Sequence, residues 1–321
     1  MLNTMKEQEE IDLWSISNDT FRPDQQAESE QIFSLANGQI GQQGNFEEFY
    51  SGGTNLGTFL SGVYCSNNDI KTLSSLPNWT SLNVRLNTEL IDLAKCEVIN
   101  FRRSLNMQQG FLERSFEIKT ANNEHIEVSV LRFLSLAQTE IGAIKYSVKS
   151  LDFVGRITFS PIIDGDFYSE NMPDDEPEWN VLQSKIQQDV AHLWVQTRKT
   201  NFQVCEAMTF DFYKNNAQIK TNPTKIEKQK VAGFSFGTDI KVGDSVCVYK
   251  FVAMYSSIHH PYQELTVKAC EKAYQAKNTG WNELLEENTL AWQQYWENVN
   301  LLSGKTNQAA IIKAFKQFQP S

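Results

Sequence analysis

The sequence predicts a mainly β protein: a large antiparallel two-sheet β-sandwich over residues 1–260, followed by a helical tail over 261–321. Three observations lead there. Between Glu30 and Ser257 short runs alternate apolar and polar positions, the period-two mark of strands with one buried face. Asn, Gly, Asp and Pro break those runs at even intervals, the pattern of a sandwich rather than of βαβ units. After His259-His260-Pro261 the apolar spacing changes to three and four residues, the period of a helix.

The elements follow in order. Residues 1–25 are polar and read as an entry arm. Ile126, Val128 and Val130 alternate with Glu127 and Ser129, and Ile144, Tyr146 and Val148 with Lys145 and Ser147. Turns are expected at Thr120-Ala121-Asn122-Asn123 and at Lys241-Val242-Gly243-Asp244. The β stretch is long for one sandwich, so two large sheets are expected. The acidic, Pro-bearing segment Asn171 to Glu178 reads as a loop bulging from it. Gln263 to Lys277 reads as a helix stopped by Asn278-Thr279-Gly280. Trp281, Leu284, Leu285, Trp292, Tyr295, Trp296 and Val299 then form one apolar stripe, on a helix of about five turns. A third helix is expected from Thr306 to Phe318, with Ala310, Ile311, Phe315 and Phe318 inward. Such helices cannot make a core of their own. They must lie on the sandwich, on another domain or on a second copy of the chain.

Composition narrows the function classes. The net charge of −10 argues against a nucleic-acid partner, which needs a basic face. The acidic, polar N-terminus lacks the basic start and apolar run of a secretory signal. No apolar run is long enough to span a bilayer, so no membrane partner is expected and the expected compartment is the cytoplasm. Cys65, Cys96, Cys205, Cys247 and Cys270 lack metal or redox spacing and read as reduced thiols packed as small hydrophobes.

Chemistry is hard to find. There is no nucleophile elbow. His125 stands beside a turn and is expected to be exposed, His192 lies in a strand, and His259-His260 sit at the sandwich-to-helix junction. None has helical zinc spacing. Gly38, Gly41 and Gly44 read GxxGxxG rather than the dinucleotide fingerprint. They are expected to serve tight turns and close backbone approach. Glycosidic chemistry needs a carboxylic acid and usually a second carboxylate. Glu47-Glu48, Glu113, Asp164, Asp166 and Asp174-Asp175-Glu176 are the candidates, each a surface carboxylate by default. No catalytic, cofactor-binding or metal-binding residue is therefore assigned.

Several blocks carry a resemblance. Ser34-Leu35-Ala36-Asn37-Gly38 and Gly44-Asn45-Phe46-Glu47-Glu48, with Gln43 where Arg is usual, come first. Gly57 to Tyr64, Leu76-Pro77-Asn78-Trp79, Phe101 to Met107 and Gly110 to Phe116 come next. Arg132 to Leu136, Ala143 to Tyr146 and Ile163-Asp164-Gly165 complete the series. Together, in this order, they resemble the opening of the family 65 glycoside enzymes, the maltose, trehalose and kojibiose phosphorylases and related hydrolases. The match thins after residue 170. Two departures stand out. The span Cys65 to Leu76 is short, and Ser256 to His260 replaces the family's usual strand ending.

The resemblance implies a supersandwich of the galactose mutarotase type, then linker helices, then an (α/α)6 barrel that carries the general acid and the phosphate site. The helices over 262–300 correspond to the linker, and Asn307 to Ile311 resembles the start of the barrel. The chain is therefore expected to be the non-catalytic N-terminal domain of an α-glucoside phosphorylase or hydrolase, inactive alone. Its implied partners are the catalytic barrel, an α-linked glucose disaccharide in the full enzyme and a second copy in a homodimer. No cofactor is implied, inorganic phosphate being a co-substrate of the full enzyme. The alternative is a stand-alone carbohydrate-binding module. The aromatic stripe after Trp281 is expected to be exposed, which speaks against it, since a free-standing binder should cover that stripe itself.

Overall fold

The computed structural model describes residues 13–53, 57–67, 70–166, 179–303 and 308–319. β1 (Ser15–Asn18) is followed by helix α1 (Gln26–Ile32). β2 (Leu35–Ala36), β3 (Ile40–Gln42) and β4 (Thr58–Leu60) form a small sheet, and β5 (Tyr64–Asn67) and β6 (Ile70–Leu73) a hairpin. β7 (Leu82–Leu86) and β8 (Glu89–Leu90) precede β9 (Glu97–Asn106), β10 (Phe111–Lys119), β11 (His125–Leu134), β12 (Ile141–Ser150) and β13 (Gly155–Asp164). β14 (Trp179–Gln187), β15 (Val190–Thr197), β16 (Gln203–Lys214) and β17 (Ala217–Gln218) lead to β18 (Thr224–Lys228), β19 (Val231–Ile240) and β20 (Ser245–Ser256).

The two-sheet sandwich has unequal layers. The ten-stranded sheet runs β1-β9-β10-β11-β12-β20-β16-β15-β14, with β17 on β16. The facing sheet has five strands, β18-β19-β13-β7-β8. Their inner faces meet through aromatic rings. Phe159 lies 5.7 Å from Phe212 and 6.3 Å from Tyr146, and Phe210 stacks on Phe236 at 4.1 Å. Ile126, Val128, Val130, Ile144, Tyr146 and Val148 all point into this core, as the alternation requires. Both predicted turns close: Asn123 N–H donates to Thr120 O, and Asp244 N–H to Lys241 O, each at 2.9 Å.

Alternation fails in the middle of the large sheet. From Val204 to Phe210 on β16, and from Lys250 to Ser256 on β20, every residue is buried. A helix covers the outer face there, so both faces lack water. That helix is α2 (Leu265–Thr279), entered through a 3-10 turn at Tyr262–Glu264 and two residues later than predicted at each end. Its Ala269, Ala273 and Ala276 are small enough to let it lie close over Cys205, Ala207, Phe251 and Ala253. Gly280, at φ +83, ends it by donating its N–H to Ala276 O.

Helix α3 (Trp281–Ser303) has 23 residues, longer than the five turns predicted. Its stripe does not wait for a further partner: the sandwich and the helix that follows cover most of it. Trp281 packs on Phe133 at 5.3 Å and Tyr249 at 5.6 Å. Trp296 donates its indole N–H to Met107 O at 3.0 Å and meets Trp14 edge-on at 4.8 Å. Trp292 stacks at 5.0 Å on Phe315 of α4 (Gln308–Lys316). On α4, Ile311 and Phe315 are buried as predicted, but Ala310 is exposed and Ala314 is buried in its place. The last turn faces the core through the 311/314/315 arc rather than through residue 310.

The N-terminal segment also departs from a simple arm. Ser15 to Asn18 pair with Asn106 to Arg103 on β9, forming the sheet's edge. In α1, Gln26, Ser29 and Glu30 are buried. The acidic loop at 171–178 lies outside the described residues. Among the described residues, no helix is long and apolar enough to cross a membrane.

Candidate functional site

The blocks that carry the resemblance converge inside the sandwich. Strand parity aims their charges inward. Arg114 shares the inner face of β10 with Leu112, Phe116 and Ile118. Arg132 lies in line with Val128 and Val130 on β11, and Arg103 with Phe101 and Leu105 on β9. Glu47 and Glu48 arrive from the segment after β3, and Glu30 from α1. All six side chains are buried. Three carboxylates thus meet three guanidiniums at one end of the core.

The contacts are specific. Arg114 bridges Glu47 and Glu48, reaching Glu48 Oε2 at 2.8 Å. Arg132 reaches Glu47 Oε1 at 2.9 Å and donates to the carbonyls of Asn45 at 3.2 Å and Gln43 at 3.1 Å. Arg103 lies over the Phe33 ring at 4.4 Å, where the π face takes up part of its charge. Burial opposes the ionised form of Glu47, but Arg132 and Arg114 outweigh it and hold its carboxyl below the usual range. Burial likewise opposes Arg114, and the Glu48 and Glu47 carboxylates overcome it, so its guanidinium is pushed up. Arg103, short of direct carboxylate contacts, is lowered to about 10 by burial and by neighbouring Arg114. Burial and the Glu48 carboxylate push the Tyr146 phenol well above its ordinary value.

This overturns one expectation. Glu47 and Glu48, surface carboxylates by default expectation, are buried because two arginines compensate them. Both oxygens of Glu47 and Oε2 of Glu48 are held by Arg114 and Arg132, and both side chains are buried, so neither is placed to protonate a glycosidic oxygen. Glu113 is exposed on β10; Asp166 is exposed and Asp164 half-buried, the two joined by Asp166 N–H donating to Asp164 Oδ1 at 2.9 Å. Asp174, Asp175 and Glu176 lie outside the described residues. The sequence reading passed over Arg103, Arg114 and Arg132 as site residues. The signal was present: a charge at an inward position of an alternating strand.

Tight loops hold the cluster in place. Gly44 N–H donates to Glu30 O at 2.7 Å, and a Cβ at Gly44 would stand 2.8 Å from Phe33 O. Only glycine allows that approach, as expected of the GxxGxxG segment. Gly38 N–H donates to Phe318 O at 3.0 Å, and Gln319 Nε2 to Ser34 Oγ at 3.0 Å. The turn after α4 therefore lies beside this loop. A cleft of ≈ 240 Å³ between them is lined by Gln43, Phe59, Lys316 and Gln319 among others.

A second buried ionisable pair lies between the sheets. Lys250 on β20 donates to Ser81 O at 2.9 Å and Ile162 O at 2.7 Å, tying the large sheet to the small one. Burial lowers it to about 7. Burial raises Glu206 on β16 well above the carboxylate range. Two of the four histidines are held by side-chain partners. His125 is half-buried rather than exposed, with Nε2 2.7 Å from Glu117 Oε2. His192 is buried, with Nε2 2.8 Å from Gln183 Oε1, and its pKa is lowered by burial and by Lys185. His259 and His260 cap the turn after β20, where both N–H groups reach Ser256 O. The five cysteines are free thiols. Among the described residues, no three metal-ligating side chains converge.

Comparison with known proteins covers nearly the whole chain. Residues 16–295 match the family described as glycosyl hydrolase family 65, N-terminal domain. The chain is 26% identical over 312 residues to an alpha,alpha-trehalose phosphorylase from Thermoanaerobacter brockii, covering 90% of this chain and 40% of that protein. It is 26% identical over 311 residues to a maltose phosphorylase from Bacillus subtilis, covering 91% and 40%. The chain thus spans about 40% of the length of these curated relatives. Among solved structures, a putative kojibiose phosphorylase from human microbiome superposes with a TM-score of 0.78 at 20% identity, over 89% of this chain and 38% of that one.

Proposed function

The chain belongs to the glycosyl hydrolase family 65 N-terminal domain family, and on that premise we propose that it is the non-catalytic sandwich of an α-glucoside phosphorylase, bracing a catalytic (α/α)6 barrel. One observation carries the reading. The motif residues shared with the family spend their charges on one another inside the core, so they build a rigid platform rather than a reactive cleft. The platform's loop contacts the turn after α4, through Gly38 and Phe318, next to the segment that resembles the start of a barrel. In the whole protein the barrel supplies the acid that protonates the glycosidic oxygen. Phosphate, already an anion, attacks the anomeric carbon without a general base, whereas a hydrolase needs a second carboxylate to activate water. The substrate is an α-linked glucose disaccharide, the compartment the cytoplasm, and residues 1–260 and 261–321 act as sandwich and linker.

The stand-alone binding module loses ground on another observation. The family match runs through α2 and most of α3, so the helices belong to the same domain type as the sandwich. The covered stripe itself no longer separates the two readings.

The test is reconstitution. A barrel segment from the trehalose phosphorylase relative is expressed alone and with this chain. The barrel should co-purify with the chain and release glucose 1-phosphate only in its presence, while the chain alone releases none from maltose or trehalose with phosphate. Turnover by the chain alone would refute the non-catalytic assignment.

A further inference from the structure

The large sheet has a notch in it. β15 pairs with β16 only as far as Ala191 opposite Met208, and β17 joins β16 only from Tyr213 opposite Gln218. Between them the β16 edge over Thr209 to Asp211 pairs with no strand. Phe212 O accepts from Ile219 N–H at 2.8 Å. Backbone groups two residues apart face the same edge, so the N–H and C=O of Phe210 face the gap. The β14–β15 turn with Asp189, the strand β17 and Lys277 at the end of α2 wall it in, enclosing ≈ 370 Å³. That lies within the usual range for small-ligand sites.

The lining is specific in kind. Thr209 is fully buried, lines the notch, and its hydroxyl has no hydrogen-bond partner, a state that costs stability unless a ligand completes it. Asp211 Oδ1 takes Gln218 Nε2 at 3.0 Å and Lys277 Nζ at 3.4 Å. Asp189 and Asp211 are balanced by Lys220 and Lys277, so the notch selects no net charge. The Phe210 ring and Pro223 add an apolar wall.

We propose that this notch binds a neutral polyol of monosaccharide size, a single hexose unit. Each ring hydroxyl both donates and accepts, which suits a wall of carboxylates, ammoniums and an open strand edge. The C–H face of the ring suits Phe210. The inference rests on the notch alone and does not require a barrel.

Calorimetry and amide NMR on the purified chain test it, with D-glucose and maltose as probes. Saturable binding of either is expected, with shifts at Phe210 and Gln218. Equal affinity identifies a free monosaccharide as ligand; tighter maltose identifies the end of a saccharide. Thr209→Val, isosteric and expected to keep the melting temperature, should weaken binding roughly five- to thirty-fold, the equivalent of one or two hydrogen bonds. Gln218→Ala, at an exposed position, should weaken it without touching the core. The proposal is overturned by no saturable signal from either sugar, by binding that both variants leave unchanged, or by glucose 6-phosphate binding more tightly than glucose. A chain that recruits the barrel but binds no sugar here keeps the bracing role and loses this site; the opposite result loses the bracing role alone.

Discussion

At the Arg114 end of the core three carboxylates meet three guanidiniums. Midway between the sheets one lysine and one glutamate sit without touching within salt-bridge distance. Both places are dry, yet their charges fare differently. At Glu47 and Arg114 in the cluster, Coulomb attraction in a low dielectric outweighs desolvation, because each carboxylate at Arg114 has a guanidinium within hydrogen-bond reach. Between the sheets desolvation wins: Lys250 falls to about 7 and Glu206 is held toward its neutral form. The two Glu206 oxygens have no hydrogen-bond partner. Geometry decides whether a buried ionisable group stays charged, and burial by itself does not.

The contrast can be broken by mutation. Arg114→Met would leave Glu47 and Glu48 buried without their main partner. It should cost about 3–5 kcal/mol in urea unfolding; a loss below about 1 kcal/mol would mean the cluster contributes little. Lys250→Met removes a group already near neutrality. It should cost less, about 1–3 kcal/mol, chiefly for the hydrogen bonds lost at Ser81 O and Ile162 O.

The pH profile sharpens the difference. Lys250 titrates at about 7 in the fold against an ordinary 10.5. Between those values the unfolded chain binds more protons, so this lysine makes stability rise with pH, and the gain is lost as pH falls through 7. Lys250→Met should flatten that limb of a melting-temperature scan. Glu206 acts in the opposite sense. Its folded value lies above the ordinary 4.5, so its contribution is full below 4.5 and is lost as pH rises toward the raised value. Glu206→Gln should therefore gain stability relative to the parent chain as pH rises above 4.5. A constant difference across pH would show that Glu206 is not held neutral. The smallest effect is the control: Glu113→Gln, exposed on the same strand as Arg114, should stay within about 0.5 kcal/mol.

Much of this was legible before the coordinates. Period-two runs such as Ile126 to Val130 marked strands, and Asn278-Thr279-Gly280 marked the helix stop, because both signals are local. The candidate site was less legible. Glu47 and Glu48 look like any acidic pair until Arg114 and Arg132 are brought beside them from residues far along the chain. The Thr209 notch was invisible, since it exists only where β15 ends before β17 begins.

By itself, then, the sequence determined where the strands and helices fall, which parity of each strand is apolar, and which family its motifs resemble. Those are properties of neighbouring residues and of backbone stereochemistry. Only tertiary structure decided that the Trp stripe is covered, that Arg114 and Arg132 pair with Glu47 and Glu48, and that Lys250 is drawn toward its neutral form. Each depends on which distant groups share a volume without water, and in that volume a Coulomb energy changes severalfold with a few ångströms of separation and with the local dielectric.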